Sequence, residues 1–158
     1  MTGSAVEAAR RLLESCSTVT IATATAQGPW AAAVFFASDP DLRLYFVSDR
    51  NTRHGRDLAV NPAVAATVHG DCAAWSEIRG LQMSGRVEIL DGDARAPGLE
   101  MYLAKFPEVA ALVRQPASAD ESRIASRLEA ASLYRLTPGW VRVIDNTRGF
   151  GFRQELEL

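Results

Sequence analysis

Apolar residues recur at helical spacing at the start of the chain and again in its second half, and between those stretches they alternate. Over Ala5–Ser15, the residues Ala5, Val6, Ala9, Leu12 and Leu13 share one side, with Glu7, Arg10, Arg11 and Glu14 between them. That spacing predicts a short amphipathic helix. Ser17–Thr25 (STVTIATAT) alternates and is rich in β-branched residues, which predicts a strand. Gln27-Gly28-Pro29 marks a turn, and Trp30–Ala37 (WAAAVFFA) predicts a second, well-buried strand. After Asp39-Pro40-Asp41 comes a third strand, Leu42–Val47. Three strands on short turns predict an antiparallel sheet.

Thr52–Val60 reads as one short helix, N-capped by Asn51 or Thr52 and ending before Asn61-Pro62. Ala63–His69 and Glu77–Leu90 predict a fourth and a fifth strand. Gly80 and Gly85 lie inside the fifth, where glycine marks a bulge or a barrel corner. Gly92 to Arg127 turns helical, Leu133–Ile144 returns to strand, and Asp145–Phe152 (DNTRGFGF) follows. Strands, then helices, then a strand around one core predict an α+β or mainly β barrel and not a doubly wound sheet.

At 158 residues the chain fits a single domain, 1–158, with no internal repeat or linker. A net charge of −2 gives no support for a nucleic-acid surface. No apolar run reaches the roughly 20 residues that span a bilayer. Met1–Arg11 lacks the apolar core of a signal peptide, so a cytoplasmic protein is expected. Cys16 and Cys72 form no CxxC pair and, with two histidines, make no metal site; buried thiols are expected at both.

The stretch that carries chemistry is Tyr45–Pro62, YFVSDRNTRHGRDLAVNP. A strand ends at Val47-Ser48, and a polar loop enters a helix whose first turn holds Thr52, Arg53 and His54. Free backbone N–H groups, a hydroxyl and a guanidinium there can converge on one phosphate. The same residues also read as an ordinary capped and solvated helix start. Asn146 and Arg148, with Phe150 and Phe152, suggest either a segment folded over a cleft or the end of a core strand. No carboxylate pair, Ser-His-Asp order, phosphate loop or dinucleotide fingerprint is present, and no catalytic residue is identified.

The order Ser48, Asp49, Thr52, Arg53, His54, Gly55, then Asn61-Pro62 resembles the FMN phosphate segment of the pyridoxamine 5′-phosphate oxidase-like superfamily. The likeness extends over roughly residues 5–106 and 132–152. Arg79-Gly80-Leu81-Gln82 and DNTRGFGF are similar to a small bacterial branch of it. The resemblance implies a six-stranded antiparallel split β-barrel with flanking helices, a homodimer, and FMN at the subunit interface. It implies that Thr52 and Arg53 hold the phosphate, with His54 where lysine is commoner. Backbone groups of Val47 and Ser48 would face the isoalloxazine edge, and Gln82 would reach the flavin from the partner subunit. The oxidase has a basic residue early in its second strand, where this chain has Trp30-Ala31-Ala32-Ala33, and the oxidase's substrate-phosphate residues have no counterpart here. The function implied is an FMN-dependent oxidoreductase acting on an unidentified small molecule. A non-catalytic module for haem, a deazaflavin or another planar ligand is the alternative. Phosphate affinity is expected to fall as pH rises through the pKa of His54, near 6.5 for a free imidazole.

Overall fold

In the computed structural model, which describes residues 2–158, one antiparallel sheet is curled into a half-barrel with five helices around it. Its strands are β1 (Thr18–Thr25), β2 (Gly28–Phe35), β3 (Ala37–Ser38), β4 (Leu44–Ser48), β5 (Ala63–His69), β6 (Arg79–Ile89), β7 (Ser132–Asp145) and β8 (Arg153–Glu157). They run in the order β2-β1-β5-β6-β7-β4-β3, with β8 on β7. The helices are α1 (Thr2–Ser15), α2 (Arg53–Val60), α3 (Arg95–Lys105), α4 (Pro107–Arg114) and α5 (Ala119–Ala130). The sheet holds eight strands where the sequence pattern predicts six. The additional ones are the two-residue β3, too short for a pattern, and the charged RQELE of β8, of which only Leu156 enters the core.

The long β7 makes the split. Its first half, Ser132–Leu136, pairs with β4, and its second half, Trp140–Ile144, pairs with β8, while β6 follows it along both. The turn in its course falls where β6 shifts register between Ser84 and Gly85, opposite Pro138. A Cβ at Gly85 would overlap the Thr137 carbonyl oxygen, so only glycine lets the two backbones approach there. The bulge expected at Gly85 is therefore present.

One face of the curl packs against α1. Val19 and Ile21 from β1, Val64 and Val68 from β5, Leu81 and Met83 from β6, and Val141 and Val143 from β7 meet Ala5, Ala9 and Leu13. The expectation of a buried second strand fails: Trp30 is 45% and Phe35 53% exposed, and Ala31 and Ala33 are open as well. β2 is an edge strand, and none of the described residues covers the outer face it shares with Ala22, Ala65, Thr67, Gln82 and Ser84.

The helices α3, α4 and α5 cover the other end of the sheet. Gly98 brings α3 against it: a Cβ there would lie 2.9 Å from Leu133 Cδ2. Lys105 Nζ donates to the carbonyls of Leu13 at 2.9 Å and Cys16 at 2.5 Å, tying α3 to the end of α1. Among the described residues, no helix is long and apolar enough to cross a membrane.

Candidate functional site

β4 ends at Ser48, and an Asx turn at Asp49, whose Oδ1 accepts from Asn51 N–H at 2.8 Å, swings the chain into α2. Thr52 is the N-cap. Its Oγ1 accepts from Gly55 N–H at 3.1 Å and donates to the Asp49 carbonyl at 2.7 Å. The hydroxyl proton is thus committed to the turn, while the N–H groups of Arg53 and His54, first in the helix, have no intrahelical acceptor. Gly55 is required here, since a Cβ would lie 2.7 Å from the carbonyl oxygens of both Asp49 and Arg50.

The rapid turn sets His54 back on the strand end. Its Nε2 lies 2.6 Å from Ser48 Oγ. Burial pushes the imidazole pKa below its ordinary value, and the Asp57 carboxylate opposes that shift only in part. The pH window expected for a His54 contribution to phosphate binding therefore moves below 6.5.

Arg53 points toward the β1–β2 hairpin. Its guanidinium lies over the Trp30 ring, 5.2 Å from the centroid. Nε is 3.1 Å from both Asp57 oxygens, and one terminal nitrogen is 3.4 Å from the Gln27 carbonyl. Asp57 is buried and also accepts from Thr23 Oγ1 at 2.9 Å. Sequence reasoning missed this chain of Thr23, Asp57, Arg53 and Trp30. The i,i+4 spacing of Arg53 and Asp57 is the signal that could have found its central pair.

Five of the six expected binding residues are thus gathered: Val47, Ser48, Thr52, Arg53 and His54. The Val47 side chain borders a small apolar cavity of about 120 Å³ under α3, α4 and α5, with Arg95 and Glu129 among its lining residues. Gln82 stands apart on the open sheet face, where its Oε1 accepts from Arg142 at 3.3 Å. There it borders a shallow hollow of about 380 Å³ with Thr20, Ala22, Ala65, Thr67 and Trp140. Thr20, Ala22, Ala65, Thr67 and Ser84 give that hollow short side chains, with Gln82 and Trp140 at its border.

The segment after β7 is not aimed at this site. Asn146 Nδ2 donates to the Trp75 carbonyl at 2.9 Å and its Oδ1 accepts from Gly151 N–H at 3.1 Å. Arg148 lies over Phe152, and Phe150 meets Trp75 edge-on. These residues brace the turn around Trp75. Among the described residues, no group of three or more His, Cys, Asp or Glu side chains could hold a metal ion.

The sequence profile of the family described as pyridoxamine 5′-phosphate oxidase matches residues 5–145. A UPF0306 protein of Photorhabdus laumondii is 30% identical over 142 residues, which is 89% of this chain and 87% of that protein. Among solved structures, a haem-binding protein from Mycobacterium smegmatis superposes with a TM-score of 0.73 at 23% identity. The match covers 97% of this chain but only 57% of that one. HutZ, a haem storage protein of Vibrio cholerae, superposes with a TM-score of 0.59 at 21% identity, over 81% of this chain and 85% of that one. At these identities the likeness concerns the fold.

Proposed function

This chain belongs to the pyridoxamine 5′-phosphate oxidase family, together with the UPF0306 proteins, and on that premise we propose that it is a cytoplasmic, homodimeric FMN-binding oxidoreductase. The observation that carries the reading is the position of Arg53. Its guanidinium sits over Trp30 at the β1–β2 hairpin, and the next residue in the first turn of α2, His54, reaches Ser48 at the end of β4. The donors available to a phosphate monoester would be the first-turn backbone N–H groups of α2, the Ser48–His54 pair and this guanidinium. The fit relies on hydrogen bonds more than on charge, because Asp57 shares Arg53 and burial favours the neutral form of His54.

Bound there, FMN would supply hydride and single-electron chemistry. The residues of this chain position it. The α2 turn and Arg53 would hold the phosphate, the backbone at Val47-Ser48 would face the ring edge, and the open face of Ala22 and Ala65 would receive the ring. In a homodimer, Gln82 of the partner subunit would close the ring from the other side and the paired sheets would exclude water.

A second reading, a haem-binding module, has its own support. Two fold neighbours carry haem in their descriptions. The exposed His69 has Nδ1 3.1 Å from the Gly70 carbonyl, so Nδ1 must donate and Nε2 is left free as a metal ligand. The absorption spectrum of the purified protein, alone and after separate titration with FMN and with haemin, distinguishes the two. The flavin reading expects flavin bands and saturable FMN binding. A Soret band lost in His69→Ala, with no FMN binding, would establish the haem module instead.

A further inference from the structure

The two cysteines lie far apart in sequence and reach the same cavity. Cys16 follows the last residue of α1, and Cys72 stands in the arch between β5 and the 3-10 turn Trp75–Glu77. Both line a hollow of about 420 Å³ that also borders Arg11, Glu77, Arg79 and Asp145. Both are free thiols. The expectation of two buried thiols holds only for Cys16; Cys72 is exposed, because no element covers the arch.

The register of the sheet explains why they meet. β1 and β5 pair with Thr20 opposite Thr67 and Ile21 opposite Ala66. The same register carried toward α1 sets Cys16 opposite Asp71, one residue from Cys72. A disulfide spans a Cα separation of roughly 4.4–6.8 Å, so the bond needs the two ends to approach across the hollow. The ladder stops at Thr20 and Thr67, where the chains part and the hollow begins. The arch is held at its far side, where Glu77 Oε2 accepts from Ala73 and Ala74 N–H. Gly70, Asp71 and Cys72 have no regular structure, and a Cβ at Gly70 would meet nothing within 4 Å. Closing the bond would move the Gly70–Cys72 stretch, which no regular hydrogen-bond ladder holds.

We propose that Cys16 and Cys72 are a redox-modification site, at which a hydroperoxide converts the two thiols into one intramolecular disulfide across this cavity. The exposed Cys72 thiolate attacks the peroxide, the O–O bond breaks, and a sulfenic acid and an alcohol (water, from hydrogen peroxide) result. The Cys16 sulfur then attacks the sulfenyl sulfur. An S–S bond forms, the S–O bond breaks, and water leaves with the thiol proton. The two thiols lose two electrons and the peroxide gains them. The bond would fasten the end of α1 to the arch that carries Trp75. It is independent of which planar ligand the cleft holds.

The test is peroxide treatment of the full chain at micromolar concentration, followed by thiol counting and non-reducing peptide mapping. Both thiols should disappear, and the Cys16 peptide should be linked to the Cys72 peptide within one chain. A local concentration near millimolar favours that bond over one to another molecule by about a thousandfold. In Cys16→Ser, Cys72 should stop at a sulfenic acid that a dimedone-type probe captures, and in Cys72→Ser, Cys16 should stay a thiol. Surviving thiols, disulfides only between chains, or a sulfinic acid at Cys72 of the unaltered protein would each overturn the proposal.

Discussion

Replacing Arg53 by alanine separates the part of flavin binding that depends on the phosphate from the part that depends on the ring. In the free protein the guanidinium is already committed on one edge. Nε is shared by both Asp57 oxygens at 3.1 Å, and a terminal nitrogen leans on the Gln27 carbonyl at 3.4 Å. A charge-assisted hydrogen bond is worth about 1.5–3 kcal/mol. Sharing with a buried carboxylate places Arg53 near the lower end, which is roughly a tenfold rise in Kd at about 1.4 kcal/mol per decade. Riboflavin has no phosphate and should bind unchanged. Fluorescence or calorimetric titration of both ligands reads the difference directly. The substitution also leaves Asp57 with Thr23 as its remaining side-chain partner, so stability should fall by about 1–3 kcal/mol. Arg53→Lys is the companion variant: it keeps the charge but loses the planar fork over Trp30 and should bind FMN with intermediate affinity. Equal losses for FMN and riboflavin would refute a phosphate role and leave Arg53 as the anchor between α2 and the hairpin. Unchanged binding of both would place the phosphate elsewhere.

Burial lowers the His54 pKa, so below about pH 6.5 the unfolded chain takes up a proton that the folded chain resists. Stability should therefore drop as pH falls through that window, and His54→Gln should flatten the melting temperature against pH; a parallel curve would refute the coupling. Gly85→Ala should cost about 2–3 kcal/mol in urea unfolding, because its Cβ meets the Thr137 carbonyl and not a movable side-chain end; a loss within about 0.5 kcal/mol would mean that the bulge relaxes freely. Ala65→Arg puts a charge in the middle of the bare sheet face and should turn a sedimenting dimer into a monomer, whereas an intact dimer would move the interface to another surface.

How much of this was legible in the sequence depended on which faces the fold covers. β1 and β5 alternate cleanly because each packs one side against α1, and their positions were readable within a residue or two. β2 was readable as a strand but not as an exposed one. Its run WAAAVFFA has the continuous apolar texture of a strand covered on both faces, and nothing local distinguishes a covered face from a bare one. β8 gave no signal, since Arg153, Glu155 and Glu157 point outward and a single leucine does the packing. In the site, Ser48 and His54 could be proposed together because the turn between strand and helix is short. Trp30 and Thr23 could not, since only the hairpin brings them under α2. The helical texture of the insert was plain, but that Gly98 lets α3 close on Leu133 is a property of the packed chain alone.

The charge balance of the site links its ligand to its assembly. A dianionic phosphate would meet one guanidinium that Asp57 already shares and the Trp30 indole packs against, and a His54 whose neutral form is favoured by burial. Electrostatics alone therefore gives modest affinity, and the ring must contribute the rest. On one subunit the ring would lie on Ala22, Ala65 and Thr67, side chains too short to wrap it. On the proposed reading its second wall would come from a partner subunit. Flavin binding and dimerisation then stabilise each other by mass action, and each should change the other by the same factor. FMN should lower the protein concentration at which the dimer forms. Ala65→Arg should weaken FMN and riboflavin alike, the opposite of the phosphate-selective loss expected for Arg53→Ala. Flavin affinity that stays constant as the protein is diluted from dimer to monomer would break this link and place the whole ligand within one subunit.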